Sequence, residues 1–197
     1  ITTINTDGTV SYMTKDEAKS AGIIGSPVDD MPYFCQGDYA GSDYYIDPTQ
    51  KDDIKSSGCG YCSMAMIMSY LTGRTIDPVT LMNENPEIKT STYDVPHGGM
   101  SSAMPSYLAS NYGYNCQETR DWNDVASALA SGNPVLVSVG RGTYTSSGHI
   151  MVITGINESA GTVYLNDPGY WRSGAGQNEE VSISSITSCA KYYDIFS

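Results

Sequence analysis

The order of local patterns along this sequence predicts an α+β fold, with helices first and a mostly antiparallel sheet after them. Two observations lead to this prediction. Residues 64–71 are almost all apolar, which is typical of a helix that is buried on every side. The second half of the chain contains short runs rich in β-branched residues, separated by Gly and Asp turns.

The first thirty residues are predicted to form an N-terminal extension, which leaves residues 31–197 as the main domain. Residues 14–17 match a capping box, which predicts a short helix over residues 18–21 closed by Gly22.

Between Gln36 and Cys59 the chain is rich in Asp, Gly, Tyr and Pro, which indicates a loop too polar to be buried. Its aspartates could bind calcium, but they lack the spacing of an EF-hand loop, so a solvated loop is the favoured interpretation. They are Asp38, Asp43, Asp47, Asp52 and Asp53.

The central helix is predicted to begin at Cys59 and to end at Gly73, a residue that commonly terminates helices. The first turn of a helix has unpaired N–H groups and the positive end of the helix dipole, and both favour a thiolate. Gly58 and Gly60 have no side chains, so a substrate backbone could approach the sulfur closely. Cys59 is therefore a candidate nucleophile, with a structural half-cystine as the alternative.

The remaining elements follow from caps, turns and periodicity. Helices are expected over residues 79–83, about 101–111, and from the cap at Asp121 to Ala130. Strands are expected over residues 114–119, 134–139, 150–156, 162–166, 181–183 and 192–196.

Composition excludes several function classes. A formal net charge of -12 argues against nucleic acid or anionic lipid as a partner. No apolar run approaches the roughly 20 residues that span a bilayer. Only 16% of the residues are charged, and Tyr, Ser, Thr, Asn and Gly are plentiful, which is typical of secreted bacterial proteins. Because the sequence starts with Ile1 rather than Met, a mature or trimmed chain is expected.

The cysteines and histidines limit which metal sites and which catalytic reactions the chain could support. Cys59 and Cys62 form a Cys-x-x-Cys pair, but no second pair completes a zinc ribbon and no strand of a thioredoxin-like unit precedes them. A cysteine nucleophile needs a base, and the chain has 2 His. His149 stands at the head of a hydrophobic strand and is the favoured base, whereas His97 lies in a Gly- and Pro-flanked loop and is expected at the surface or on a cleft wall.

Asp167 ends the strand after His149, within Asn166-Asp167-Pro168. A carboxylate there could accept the imidazole N–H and stabilise the imidazolium. Strand length alone does not bring it beside His149, and an ordinary turn is the alternative interpretation.

Four motifs along residues 31–168 carry a family resemblance: Gln36, then Gly58-Cys59-Gly60 opening an apolar helix, then Gly148-His149, and finally Asn166-Asp167-Pro168. In this order they resemble papain-like cysteine peptidases of the bacteriocin-processing (double-glycine) type, and most closely their stand-alone, C39-like secreted relatives. The transporter-fused members cut after Gly-Gly in leader peptides, and that substrate is not carried over to this chain.

The resemblance implies a papain-like fold and peptide-bond hydrolysis by a secreted, monomeric enzyme without cofactor or metal. Cys59 would be the nucleophile, His149 the general base and Asp167 its orienting group, with Asn166 as the alternative. The amide of Gln36 would complete the oxyanion hole with the backbone N–H of Cys59. Two alternatives remain: a papain-fold endopeptidase acting on cell-wall peptides, as in NlpC-type enzymes, and a catalytically inactive secreted binding module.

The chain departs from the family pattern in its cysteines, since Cys35 precedes the oxyanion glutamine and Cys62 follows the nucleophile by one helical turn. A local Cys35–Cys62 disulfide is therefore expected, with Cys116–Cys189 as the second bridge.

Overall fold

The computed structural model describes residues 2–4, 10–12, 30–47, 49, 51–169 and 176–197, and the predicted α+β fold is confirmed. The helices in these residues are α1 (Ile54–Ser57), α2 (Cys59–Thr72), α3 (Pro78–Glu84), α4 (Met104–Tyr112), α5 (Trp122–Ala130) and α6 (Ile183–Thr187). The short strands are β1 (Thr2–Ile4), β2 (Val10–Tyr12), β3 (Tyr45–Asp47), β4 (Asp52–Asp53), β5 (Asp94–Val95) and β6 (Gly99–Met100). The main sheet contains β7 (Cys116–Thr119), β8 (Val135–Gly140), β9 (Gly148–Asn157), β10 (Thr162–Asn166), β11 (Glu179–Ser182) and β12 (Ala190–Phe196).

The main sheet has the strand order β11-β10-β9-β8-β12-β7, and each neighbouring pair is antiparallel. The inner strands β8 and β9 are buried along nearly their whole length. Their sequences consequently show continuous apolar runs instead of an alternation of apolar and polar residues.

Two hydrophobic cores cover the two faces of this sheet. On one face, α2 packs against a set that includes Leu136, Ile150 and Val152. On the other face, α5 packs against their strand neighbours, among them Val137 and Met151. Because side chains alternate along a strand, successive residues of β8 and β9 contribute to different cores.

The central helix α2 has the predicted bounds. Every residue from 60 to 69 is buried. Gly73 follows the helix with a φ of 68°, and its N–H donates to the carbonyls of Ser69 and Tyr70. Glycine adopts this left-handed conformation without steric cost, so the helix ends where the sequence indicates. Among the described helices, none is both long enough and apolar enough to cross a bilayer.

The prediction of a solvated loop between Gln36 and Cys59 is wrong. This segment contains two 3-10 helices, the β3–β4 pair and α1. Ile46 and Ile54 are fully buried, so two apolar residues spaced among polar ones anchor it to the core. Asp53 caps α1 by accepting from the Ser56 N–H at 2.9 Å. Asp53, which the sequence analysis placed in a solvated loop, is thus a helix cap.

The N-terminal region is described only in part. β1 and β2 pair antiparallel, while the helix expected over residues 18–21 lies outside the described residues. The boundary at residue 30 stays a prediction.

The structure contains no disulfide among the five cysteines, all of which lie in its described residues. The predicted Cys116–Cys189 bridge is wrong for a geometric reason. Cys116 pairs with Phe196 at one end of β12, and Cys189 precedes the other end of that strand. Seven residues at about 3.3 Å each separate them, far more than the roughly 7 Å that a disulfide spans. The predicted Cys35–Cys62 bridge is also absent, although the two thiol groups are near enough to interact electrostatically.

Candidate active site

Cys59 is the first residue of α2, as the sequence predicts, and it is partly exposed. The N-cap residue Gly58 supplies no side-chain acceptor, and the first turn holds no acidic residue. The N–H groups of this turn therefore remain available, and the positive end of the helix is not offset by a local carboxylate.

The two glycines around Cys59 leave space for neighbouring elements. A Cβ on Gly58 would lie 2.4 Å from the Ile54 carbonyl oxygen, and a Cβ on Gly60 would lie 2.5 Å from the Met100 Cβ. The missing side chains thus leave room for α1 and for the β5–β6 hairpin, which pack closely against the start of the helix. Access of a substrate backbone to the sulfur stays a prediction.

His149 connects Cys59 to Asp167. Its Nε2 lies 2.6 Å from Oδ1 of Asp167, and the Cys59 thiol is near enough to the ring to help raise its pKa. Because Nε2 faces the carboxylate, Nδ1 is the ring nitrogen left for the sulfur. His149 is 3% exposed and Asp167 is 1% exposed, so the pair is shielded from water.

The surroundings of His149 alter its pKa in two directions. Burial disfavours the charged ring and lowers the pKa. The hydrogen bonds to Asp167 and Cys59, together with the negative charge of both partners, outweigh burial and raise the pKa to about 9. The imidazolium form is therefore favoured at neutral pH, as a thiolate–imidazolium pair requires.

A β-bulge lies in the strand pair that carries Asp167 and His149. β9 and β10 pair Tyr164 with Gly155 and then Leu165 with Ile153, so Thr154 is an extra residue in β9. β10 ends at Asn166, which pairs with Val152, and Asp167 follows it towards the His149 end of β9. The 2.6 Å contact between the two side chains therefore forms just beyond the last paired residue of β10.

Asn166, the alternative orienting residue, has other partners. Its Oδ1 accepts from the backbone N–H of Asn178 at 2.7 Å, and its Nδ2 lies 3.6 Å from Sδ of Met66. Asp167 is in turn held by the N–H of Gly169, which donates to Oδ1 at 2.8 Å.

Gln36 is buried in the wall of the same cleft, and two contacts fix it. Its backbone N–H donates to the Pro168 carbonyl at 2.9 Å, which ties it to the segment carrying Asp167. Its Nε2 donates to the Lys55 carbonyl at 2.7 Å. Because the Lys55 carbonyl can only accept, the nitrogen end of the amide must face it. The second hydrogen of Nε2 has no acceptor among the described residues. Oε1 is buried without a partner among the described residues.

Ser63, which the sequence did not single out, joins the two halves of the site. It lies one turn after Cys59 in the apolar helix, and its hydroxyl donates to the Ile150 carbonyl at 3.2 Å. This buried hydrogen bond couples α2 to β9 one residue beyond His149. A serine one turn after Cys59 in a mostly apolar helix is the sequence signal that could have identified it.

The site opens into a cleft of about 580 Å³. Its lining includes Cys59, His149 and Gln36, with Lys191 and Tyr192 on β12. His97 lies on the wall, as predicted, where its backbone N–H donates to Asp52 at 2.8 Å. The sequence did not indicate Lys191 or Tyr192, because adjacent strand residues normally point to opposite faces.

Known structures share this architecture. A protein from Bacillus anthracis described as a C39-like peptidase superimposes with a TM-score of 0.55 at 16% identity, over 86% of this chain and 96% of that chain. The peptidase domain of Streptococcus ComA, a bifunctional ABC transporter of a quorum-sensing pathway, gives a TM-score of 0.53 at 15% identity, over 74% and 93%. At these identities the likeness shows the fold, and it confirms the papain-like architecture that the resemblance implied.

Among curated proteins, none matches the chain in sequence. The model of the Peptidase_C39 like family matches residues 11–197, which is nearly the whole chain. The resemblance found in the four motifs is thereby confirmed, and the chain belongs to the C39-like peptidase family.

Proposed function

We propose that this chain is a cysteine peptidase that hydrolyses peptide bonds with Cys59, His149 and Asp167. The observation that carries the proposal is the buried His149, whose Nε2 lies 2.6 Å from Asp167 and whose ring interacts with the Cys59 thiol at the start of α2. Nucleophile, base and orienting carboxylate thus lie together at the edge of a cleft.

In the proposed reaction, the Cys59 thiolate attacks the carbonyl carbon of the peptide bond. The negative charge moves to the carbonyl oxygen, where the N–H of Cys59 and the free Nε2 hydrogen of Gln36 would stabilise it. When the tetrahedral intermediate collapses, the C–N bond breaks and His149 gives its proton to the leaving amine. A water molecule, deprotonated by His149, then attacks the thioester carbon. The C–S bond breaks, the acyl part of the peptide leaves as its carboxylic acid, and the Cys59 thiolate and the His149 imidazolium are restored.

Asp167 takes no proton in this scheme. It holds the ring of His149 in place and stabilises the positive charge that the ring carries whenever it is protonated. The segment around it is restrained by the Tyr33 hydroxyl, which donates to the Asp167 carbonyl at 2.6 Å.

A peptide-library cleavage profile, run beside Cys59→Ala, tests the proposal. The wild-type protein should cleave a subset of peptides, and Cys59→Ala should cleave none of them. Cys116→Ala is the matched control, because Cys116 is a half-buried thiol that pairs with Phe196 at the end of β12 opposite the cleft. Hydrolysis that survives Cys59→Ala but not Cys116→Ala would reject Cys59 as the nucleophile.

Alkylation gives a test that needs no substrate. Iodoacetamide should modify Cys59 rapidly at mildly acidic pH, where an ordinary thiol is protonated and slow. The same reaction on His149→Ala should require a higher pH, because the imidazolium that stabilises the thiolate is gone. Equal alkylation rates for the two proteins across this pH range would contradict the thiolate–imidazolium pair.

A further inference from the structure

The charge of the cleft is opposite to that of the rest of the protein. The sequence has 22 acidic and 10 basic residues, for a formal net charge of -12. Among the described residues that line the cleft, however, there is no Asp or Glu, and Lys191 adds a positive charge beside the Cys59–His149 thiolate–imidazolium pair, whose two charges offset each other. A peptide bound in this cleft is therefore close to a positive group, although the protein as a whole is negatively charged.

A second β-bulge brings this lysine into the cleft. β12 pairs Ala190 with Val139 and then Tyr192 with Ser138, so Lys191 is the extra residue between the two pairs. In a regular strand, Lys191 and Tyr192 would point to opposite faces. Both line the cleft here. Bulges near active sites commonly redirect a side chain in this way.

The ammonium group lies beside the histidine end of the site. Nζ of Lys191 is 3.8 Å from the position that a Cβ on Gly148 would occupy, and Gly148 is the residue before His149. Cε of the same side chain lies 3.1 Å from the corresponding position on Gly140, which pairs with Gly148 across the sheet. Lys191 is exposed and forms no ion pair within the described part of the chain.

We propose that Lys191 is a specificity-determining residue that binds a carboxylate of the peptide on the leaving-group side of the scissile bond. The inference rests on the proposed peptidase function. His149 has to deliver its proton to the leaving amine, so the residues that follow the scissile bond lie against His149 and its neighbour Gly148. The ammonium of Lys191 is at that place, with no carboxylate of the described chain to neutralise it.

Two kinds of carboxylate would satisfy this site. One is the side chain of an Asp or Glu in the first positions after the scissile bond. The other is the free C-terminus of a peptide that ends shortly after that bond. The ammonium group of Lys191 can donate charge-assisted hydrogen bonds to either carboxylate, so the protein makes the same contact with both.

The test compares peptides that differ only on the leaving-group side. A peptide that the wild-type protein cleaves is made with Asp, Asn or Lys in the first or second position after the scissile bond, each with a free or an amidated C-terminus. The wild-type kcat/KM should be about fivefold higher for Asp than for Asn, which is the upper range of an exposed ion pair. The preference should weaken with salt. An advantage that disappears on amidation identifies the C-terminal carboxylate, and one that follows Asp identifies the side chain.

Variants assign the preference to Lys191. Lys191→Ala should lose the preference for the carboxylate. Lys191→Glu should reverse the preference in favour of the Lys peptide. Lys89→Glu is the matched control, because Lys89 is an exposed lysine that does not line the cleft. It changes the net charge equally and should keep the wild-type preference.

The inference would be overturned if the ratio of kcat/KM for the Asp and Asn peptides were the same in Lys191→Ala, Lys191→Glu and the wild type. The peptidase function would remain intact in that case. Failure of the proposed function looks different. In that case the wild-type protein would cleave no peptide, or Cys59→Ala would cleave as well as the wild type, and the role of Lys191 would fall with it.

Discussion

Replacing Asp167 with Asn keeps the size of the side chain and removes its negative charge, so it measures what the carboxylate does for His149. Asp167 Oδ1 lies 2.6 Å from Nε2 of His149, and both side chains are buried. The variant can still accept a hydrogen bond from the ring. It cannot offset the positive charge that the ring carries in the reactive form of the enzyme.

The expected shift follows from hydrogen-bond energies. A hydrogen bond to a charged group contributes about 1.5–3 kcal/mol, and a neutral one about 0.5–1.5 kcal/mol. The difference, on the order of 1.4 kcal/mol, corresponds to about one pKa unit. The pKa of His149, raised to about 9 in the wild-type protein, should therefore fall to about 8 in Asp167→Asn. Asp167→Ala loses the whole interaction and should fall by about two units.

The assay is the pH dependence of kcat/KM for a cleaved peptide. Its alkaline limb reports loss of the imidazolium proton, so it should move to lower pH by these amounts while the acidic limb changes less. Iodoacetamide alkylation of Cys59 should show the same shift in its alkaline step without any substrate. Asn166→Ala is the control, because Asn166 bonds Asn178 instead of His149. An alkaline limb that Asp167→Asn and Asp167→Ala both leave in place would refute the assignment.

Three further predictions concern the site and the fold. Gln36→Ala should lower kcat by roughly 10²–10³-fold with little change in KM, as expected for one oxyanion donor, and a change in KM alone would instead indicate ground-state binding. His149→Ala combined with Cys59→Ala should hydrolyse peptides scarcely more slowly than either single variant, because the two groups act as a unit; additive losses would contradict this. Burial and the nearby Glu118 raise the pKa of Asp194 from 3.8 to about 7, so its ionisation opposes folding and stability should fall as pH rises between these values. Asp194→Asn should raise the free energy of unfolding at pH 8 by on the order of 3 kcal/mol and change it little at pH 4, as measured by urea denaturation, and equal effects at both pH values would exclude ionisation as the cause.

The features that the sequence predicted correctly depend on neighbouring residues alone. The bounds of α2 follow from a long apolar run and from Gly73, which alone fits the left-handed turn after the helix. The cap at Asp121 places the start of α5 in the same way, since its side chain accepts from the Asn123 N–H. Cys59 could be assigned to a helix start for this reason, before any tertiary contact was known.

Two predictions from the sequence were wrong because they depended on packing and strand order, which local patterns do not indicate. Between Gln36 and Cys59, the many polar residues indicated a loop, yet Ile46 and Ile54 anchor the segment in the core. The predicted Cys116–Cys189 bridge failed because it depended on the strand order. Cys116 lies beside one end of β12 and Cys189 beside the other.

By itself, the sequence determined the α+β order of elements, the buried helix behind Cys59 and the four motifs of the C39-like family. Only the tertiary structure decided which side chains meet in the cleft. The pairing of β9 with β10 brings Asp167 within 2.6 Å of His149, and one extra residue in β12 turns Lys191 into the cleft. A bulge reverses the side of the sheet to which a residue points, and it arises from the pairing of two distant strands. Local sequence patterns do not indicate that pairing, because they depend only on residues that are close together in the chain.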